Sequence, residues 1–327
     1  MRKGLLLLLS LFLTAASLAS SAFPAGVDAG SFIRDGVGAR AFGLGGGFVA
    51  AVDDVSVPFW NPSALAVVPG LNVGGMYTDR YGQGIVLQSL GATFGQDRWG
   101  LGLSMARSSI DGIPFTGEHE GEFFSETQTV WLASLGYVLA GEAQTEGMAL
   151  FSVGASFKYY THTMLEGRAS GFGLDVGLLA RMPFPWGEVA LGLSAKDVGD
   201  SLIHWTGTDH NPTNNVAWTN SLGASVSLFE SVVRLDVQGD IAFGHSDLNR
   251  LHLGAELWPV TYLGARCGAV VSAAGEWRGA LGASLQWKGL TLDYAYVPHA
   301  VLGASHVLSA QFGIAIPGGT PTQQTED

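Results

Sequence analysis

Residues 233–243 alternate: Val233, Leu235, Val237, Ile241 and Phe243 are apolar, and Arg234, Asp236, Gln238 and Asp240 stand between them. Side chains of an extended chain point to opposite faces in turn, so this stretch reads as a strand with one apolar and one polar face. The pattern recurs. Trp218, Leu222, Ala224, Val226 and Leu228 alternate with Ser221, Gly223, Ser225 and Ser227. Trp99, Leu101, Leu103 and Met105 alternate with Gly100, Gly102, Ser104 and Ala106. Phe151, Val153, Ala155, Phe157 and Tyr159 alternate with Ser152, Gly154, Ser156, Lys158 and Tyr160, and Leu281, Ala283, Leu285 and Trp287 alternate with Gly282, Ser284, Gln286 and Lys288. A soluble sandwich alternates too, but its outer face normally carries charge. Here the second face is often Gly and Ser, as inside a crowded barrel.

Continued along the chain, the pattern predicts about fourteen strands, an even number as bacterial membrane barrels have. The spans are 71–79, 84–95, 98–110, 123–140, 147–161, 168–182, 187–197, 216–229, 231–243, 248–258, 260–272, 276–288, 289–297 and 305–316. Connections follow the long-then-short rule of such barrels. The longest are 111–122 and 198–215, while those at 95–98, 183–186, 288–289 and around Glu230 and Pro259 are tight. This asymmetry places the residues before Leu71 on the periplasmic side, with the C-terminal tail. Trp131 and Tyr137 share one face and fit interfacial girdles. In residues 263–271 the alternation turns Cys267 toward lipid and Arg266 inward.

Composition sharpens the picture. Of 327 residues, 47% are hydrophobic and only 13% charged, about half the globular share of charge. Apart from the extreme N-terminus, no apolar run is long enough for a spanning helix, so strands must do the spanning. The net charge of −12 argues against nucleic acid, and a lone cysteine excludes an internal disulfide or a cysteine zinc site. Arg2 and Lys3, the apolar run 5–13 and the small residues 15–22 form a secretory signal peptide, with cleavage after Ala19 or Ala22. The expected fold class is therefore all-β: a transmembrane antiparallel barrel at 71–316, after a signal peptide at 1–22 and an N-terminal segment at 23–70, and before a periplasmic tail at 317–327. The expected location is the outer membrane of a Gram-negative-type bacterium, with the lipid bilayer as the first partner.

The stretch 38–66, GARAFGLGGGFVAAVDDVSVPFWNPSALA, does not alternate. Gly43, Gly45, Gly46 and Gly47 suggest a phosphate loop, but Phe48 occupies the place of the last glycine of G-x-G-x-x-G and no P-loop lysine follows. It reads instead as a compact hatch inside the barrel, closing a lumen too wide for side chains to fill. Its residues divide by role: Arg40, Gly45, Gly46, Asp53, Asp54, Trp60, Asn61 and Pro62 supply turns, caps, charge and an apolar anchor. Inward parity gathers a polar set, Lys158, Arg234, Asp236, Asp240, His252, Glu256 and Arg266. Its first reading is a set of lumen salt bridges holding the hatch, with Arg234, Arg266 and Lys158 pairing Asp53 and Asp54; its second is a constriction or headgroup site. The histidines are scattered, and no catalytic set, cofactor motif or metal motif stands out.

The hatch sequence resembles the N-terminal signature of the PorV/PorQ family, within the FadL-like outer-membrane superfamily. The matching elements are Gly38-Ala39-Arg40, Ala51-Val52-Asp53-Asp54 and residues 60–66, together with LDYAYVP and the following LGASHVLSAQFGI near the other end. The resemblance implies a fourteen-stranded barrel with a lumenal hatch and, as function, protein export of the type IX kind. Loops 111–122 and 198–215 would then meet secretion-machinery proteins or secreted cargo through Phe115, Phe123, Phe124 and Trp205. The other function in view is a FadL-like channel for a hydrophobic small molecule, with a wall break expected at 111–117.

Overall fold

The computed structural model describes residues 29–141, 149–208, 210–229 and 231–315. The expected signal peptide, the first residues of the hatch segment and the expected tail lie outside these. The strands are β1 (Gly70–Arg80), β2 (Ile85–Gln96), β3 (Trp99–Pro114), β4 (Phe123–Ala140), β5 (Leu150–Met164), β6 (Gly167–Phe184), β7 (Gly187–Lys196), β8 (Ser201–Thr206) and β9 (Thr213–Val216). They continue with β10 (Thr219–Leu228), β11 (Val233–Ala242), β12 (Arg250–Val260), β13 (Leu263–Ser272), β14 (Trp277–Trp287), β15 (Leu290–His299) and β16 (Gly303–Ile314). All pairings are antiparallel, each wall strand joins the next, and β1 pairs with β16 from Leu71↔Ile314 to Asp79↔His306, which closes a fourteen-strand barrel. Closure leaves no strand edge unpaired over most of the wall.

β8 and β9 are not wall strands. They form a hairpin that lies against the upper part of β6, from Gly171↔Ile203 to Arg168↔Thr206, while β7 pairs directly with β10. The stretch 198–215, expected as one long loop, is therefore largely structured. Trp205 within it is buried against the His162 ring, 4.6 Å between centroids, and is not a free aromatic. We call this end of the barrel the loop end and the opposite one the turn end.

The alternation decides which side chain faces where. Leu90, Leu103 and Leu222 point outward, each with more than 60% of its surface exposed, and Cys267 is exposed on the same outer surface. An apolar exterior of this extent is the signature of a surface built for an apolar medium. Among the described residues no helix is long and apolar enough to cross a membrane.

Inside lies the hatch. It holds three short helices, α1 (Ser31–Arg34), α2 (Ala39–Gly43) and α3 (Val57–Trp60), and a 3-10 turn, Pro62–Val67. Its direction corrects the sequence expectation. The hatch is not confined to the periplasmic side of the barrel: the Ala29 N–H donates to the Asn215 carbonyl of β9 (3.1 Å) at the loop end, and the chain then descends through the lumen to β1 at the turn end. Val37, Leu44, Phe48, Val52, Val57 and Leu65 are fully buried along this path.

The glycines of the wall mark the same path. Gly100, Gly154, Gly177, Gly192 and Gly268 face inward, and a Cβ on any of them would lie 2.0–2.4 Å from hatch atoms: Leu65 O, Pro62 C, Asn61 Oδ1, Val49 O and Leu44 C respectively. Only glycine lets a wall backbone and a hatch backbone approach so closely. The high glycine content thus serves the fit of one chain segment inside another.

Candidate functional site

Three of the polar centres that hold the hatch arise because inward positions of neighbouring strands project to the same level. At the first, Arg40 of α2 donates from Nε to Glu256 Oε1 (2.9 Å) and from Nη2 to Glu256 Oε2 (2.7 Å), and its other nitrogen meets Asp53. Such a two-pronged guanidinium–carboxylate contact fixes geometry as well as charge. Arg234 reaches Asp53 Oδ2 (3.1 Å), Arg266 reaches Glu256 Oε1 (3.3 Å) and Asp293 Oδ1 (3.1 Å), and Asp236 is buried nearby opposite Ser225. The guanidinium groups of Arg40, Arg234 and Arg266 are thus matched by the carboxylates of Asp53, Glu256 and Asp293, which keeps buried charge paired.

The second centre is His252, which bridges the Gly45 carbonyl (2.7 Å) and Asp240 Oδ2 (2.9 Å). Gly46, at φ +84°, turns the chain where a Cβ would sit 3.0 Å from the His252 ring. Gln238, on the polar face of its strand but outside the charged set expected from the sequence, donates to Asp240 Oδ1 (2.8 Å) and accepts the N–H groups of Phe48 (2.9 Å) and Val49 (2.8 Å).

The third is Asn61. It donates to the carbonyls of Val49 (3.0 Å) and Leu178 (3.1 Å) and accepts from the Ser63 N–H (3.2 Å) and hydroxyl (2.6 Å). It therefore caps the 3-10 turn and ties it to β6, while Pro62 starts the turn where no N–H is needed. Trp60 packs edge-on against Phe48 at 5.8 Å, donates from Nε1 to the Val37 carbonyl (2.9 Å) and lies under the Lys196 ammonium at 4.9 Å.

Three expected pairings do not form. Arg266 meets Glu256 and Asp293 of the wall and neither hatch aspartate, because Arg40 and Arg234 already hold Asp53. Lys158 binds Asp175 (2.7 Å) and Asp197 (2.8 Å), with Tyr160 and Ser201 also donating to Asp197 (2.8 Å each), so it anchors the base of the β8–β9 hairpin and not the hatch. Among the described residues Asp54 meets no arginine in an ion pair. It accepts from the Ser56 N–H (2.8 Å) and hydroxyl (2.5 Å) and shapes the turn into α3. The reason is position: Asp53 points at Arg40 and Arg234, and its neighbour in the chain points the other way.

Burial pushes the Asp54 carboxyl up to about 6, with the Asp53 charge adding to the effect. Burial also acts on Asp53, but Arg40 and Arg234 outweigh it and hold that carboxyl well below the usual carboxylate range. A carboxyl whose folded value is raised stabilises its site when protonated and loses that contribution as pH rises through the folded value. The seated hatch is therefore expected to tighten as pH falls from about 7 to about 5. Single-channel recordings across this range should show fewer openings at the lower pH, and Asp54→Asn should flatten that part of the profile.

The expected wall break at 111–117 is also absent. The β3–β4 ladder shifts register between Ile110 and Ile113 and then resumes at Ile113↔Phe124 and Pro114↔Phe123, which is a bulge. A break lies elsewhere. β14 and β15 pair only from Leu281↔Tyr296 to Trp287↔Leu290. Above Tyr296, residues 277–280 pair with β13 alone, and Val297, Pro298 and His299 pair with β16 alone. Pro298 has no N–H to offer a ladder, and Gly279 has no side chain to fill the gap. A groove of about 990 Å³ opens there, from Cys267, Trp277, Leu281 and Tyr296 on the outer face to Arg250, Gly268 and Ala280 within. It shares Arg250, Val270, Arg278, Gly279, Ala280 and Pro298 with an internal cavity of about 50 Å³ beside Asp35 and Phe42. A second groove, of about 1010 Å³, is lined by residues of β1, β2 and β13 to β16, including the buried Met76, Ser284 and Asp293, and shares Met76 and Asp293 with an internal cavity of about 20 Å³; unlike the first, it lies where the ladders run unbroken.

No family model matches the chain, and no curated protein sequence matches it. Solved structures do. The Pseudomonas putida toluene transporter TodX matches with a TM-score of 0.56 and 13% identity over 86% of this chain and 99% of that one. The monoaromatic hydrocarbon channel CymD gives 0.56 and 14%, over 86% and 98%. A Pseudomonas aeruginosa FadL homologue gives 0.55 and 12%, over 85% and 98%. At these identities the likeness concerns the fold, and it supports the broader FadL-like resemblance of the sequence but not the narrower PorV/PorQ one. The chain shares the fold of these structures, a closed wall of fourteen antiparallel strands.

Proposed function

We propose that this chain is an outer-membrane channel of a Gram-negative-type bacterium that admits hydrophobic small molecules, which leave the lumen sideways through the seam between β14 and β15. The observation that carries the reading is that the β14–β15 ladder stops at Leu281↔Tyr296 and that the groove there shares lining residues with the internal cavity, in an outwardly apolar wall. A molecule poorly soluble in water gains by moving from the lumen into the bilayer without crossing an aqueous space. The fold neighbours named for toluene and monoaromatic hydrocarbons agree with it. These neighbours lend no support to the secretion-associated reading, and two of its four loop aromatics, Phe115 and Phe124, pack against each other at 4.9 Å.

The test is uptake of a labelled monoaromatic hydrocarbon by intact cells that produce the protein. A Cβ at Gly279 would meet the Trp277 ring at 3.5 Å and the Gly268 carbonyl at 3.9 Å, both ordinary contacts, so a side chain can be added there without a backbone clash. Gly279→Trp should fill the seam and cut uptake by about tenfold, and Gly279→Ala should leave it near normal. Unchanged uptake in Gly279→Trp would move the path away from the seam. Uptake no greater than in cells lacking the protein would overturn the channel reading itself.

A further inference from the structure

At the loop end, Asp35 follows α1 and meets arginines from three separate strands. Arg250 Nη1 lies 2.5 Å from Asp35 Oδ1, Arg80 Nη1 lies 3.5 Å from Oδ2, and Arg278 Nη2 lies 3.8 Å from Oδ1. Burial disfavours the Asp35 charge, but the summed field of Arg250, Arg80 and Arg278 outweighs it and holds the carboxyl far below the usual range. The charges do not balance, because one carboxylate serves three guanidinium groups.

Arg278 is the least satisfied of the three. Its distance to Asp35 exceeds a hydrogen bond, and no other hydrogen bond to it is seen among the described residues. A guanidinium presents a planar fork of donors, and an oxyanion is the group that matches it. Arg278 also sits where space exists, since it lines both the internal cavity of about 50 Å³ and the groove that opens at the seam. Beyond the ion pairs, the ties of the hatch end that carries Asp35 to the wall include the Ala29–Asn215 bond and one from Arg80 Nη2 to the Phe32 carbonyl (3.1 Å).

We propose that Arg80, Arg250 and Arg278 form an oxyanion-binding site in which Asp35 is the built-in occupant, and that an oxyanion entering the cavity displaces Asp35 and frees the loop end of the hatch. The site goes beyond the channel reading and does not depend on hydrocarbon passage. Its ligand is an oxyanion group, carried either by a free ion dissolved at the mouth or by an amphiphile arriving along the seam.

The experiment titrates the full-length protein in detergent with inorganic phosphate and, separately, with octyl phosphate, by calorimetry. Asp35→Asn removes the occupant's charge at nearly constant shape. It should bind phosphate about tenfold more tightly than the wild type, and adding Arg278→Gln should abolish the gain. A gain shown equally by both probes assigns the ligand to the aqueous mouth, and a gain much larger for octyl phosphate assigns it to the seam. Absence of tighter binding in Asp35→Asn, or a gain that survives Arg278→Gln, overturns the proposal. Heat-modifiable migration of each variant on gels establishes that the barrel is folded, so a null result counts against the site and not against the variant.

Discussion

Removing residues 38–66 while keeping the barrel should convert a nearly closed protein into a wide pore. The wall of fourteen strands is broader than the eight-stranded kind that its own side chains can fill. In this protein the filling is supplied by the hatch, and cavities of about 20 to 50 Å³ lie between hatch and wall. What the deletion exposes is a lumen lined by Ser104, Ser134, Ser156, Arg234, Glu256 and Arg266, which water will enter. The join of Val37 to Val67 cannot span from the loop end to the turn end, so the mouth contacts of Asp35 are lost as well. Single-channel conductance in planar bilayers should rise on the order of tenfold or more. Unchanged conductance in a folded deletion variant would remove the hatch from its gating role and favour a docking role for this segment.

Unseating the hatch should not require deleting it. In Gly154→Val the new Cβ would sit 2.4 Å from the backbone of Pro62 and Ser63, and neither the wall nor the 3-10 turn has a side chain there that can swing away. Overpacking of this kind costs about 1–3 kcal/mol when side chains can yield, and more when the neighbour is backbone. The wall itself is held by ladders on both sides of β5, from Glu126↔Met164 and from Leu150↔Arg181. The strain should therefore fall on the hatch. The expected result is a barrel that still migrates as heat-modifiable, with frequent large openings and with residues 38–66 newly sensitive to protease. Gly239→Val is the control, because a Cβ at Gly239 meets nothing within 4 Å. If Gly154→Val conducts like the control, the close approach at β5 does not hold the hatch down.

The two replacements also show why part of this molecule was legible in its sequence. Whether Gly154 or Phe157 faces inward is a matter of parity within one strand, and parity is local. The same holds for Arg234, Asp236, Asp240, His252, Glu256 and Arg266, which were assigned to the lumen from alternation alone and do lie inward. Gln238 shares that parity, but an uncharged side chain carries no signal that would set it apart from the wall serines, although it holds two hatch N–H groups. Asp35, Arg80, Arg250 and Arg278 are illegible in the sequence for a different reason. They stand at strand ends or just beyond a short helix, where alternation carries no information, and they meet only when the barrel closes.

By itself, then, the sequence determined the strands, the wall they form, the apolar outer and polar inner faces, and the existence of a non-alternating segment ahead of the wall. All of these follow from side-chain order along a few neighbouring residues. Only the tertiary structure decided that the hatch enters at the loop end, that Arg40 meets Glu256 across 216 positions, that Lys158 serves the β8–β9 hairpin, and that the wall parts between β14 and β15. Those features depend on register between strands and on how far two backbones can approach. Both are set by closure of the barrel around its hatch, a condition that no short stretch of chain contains.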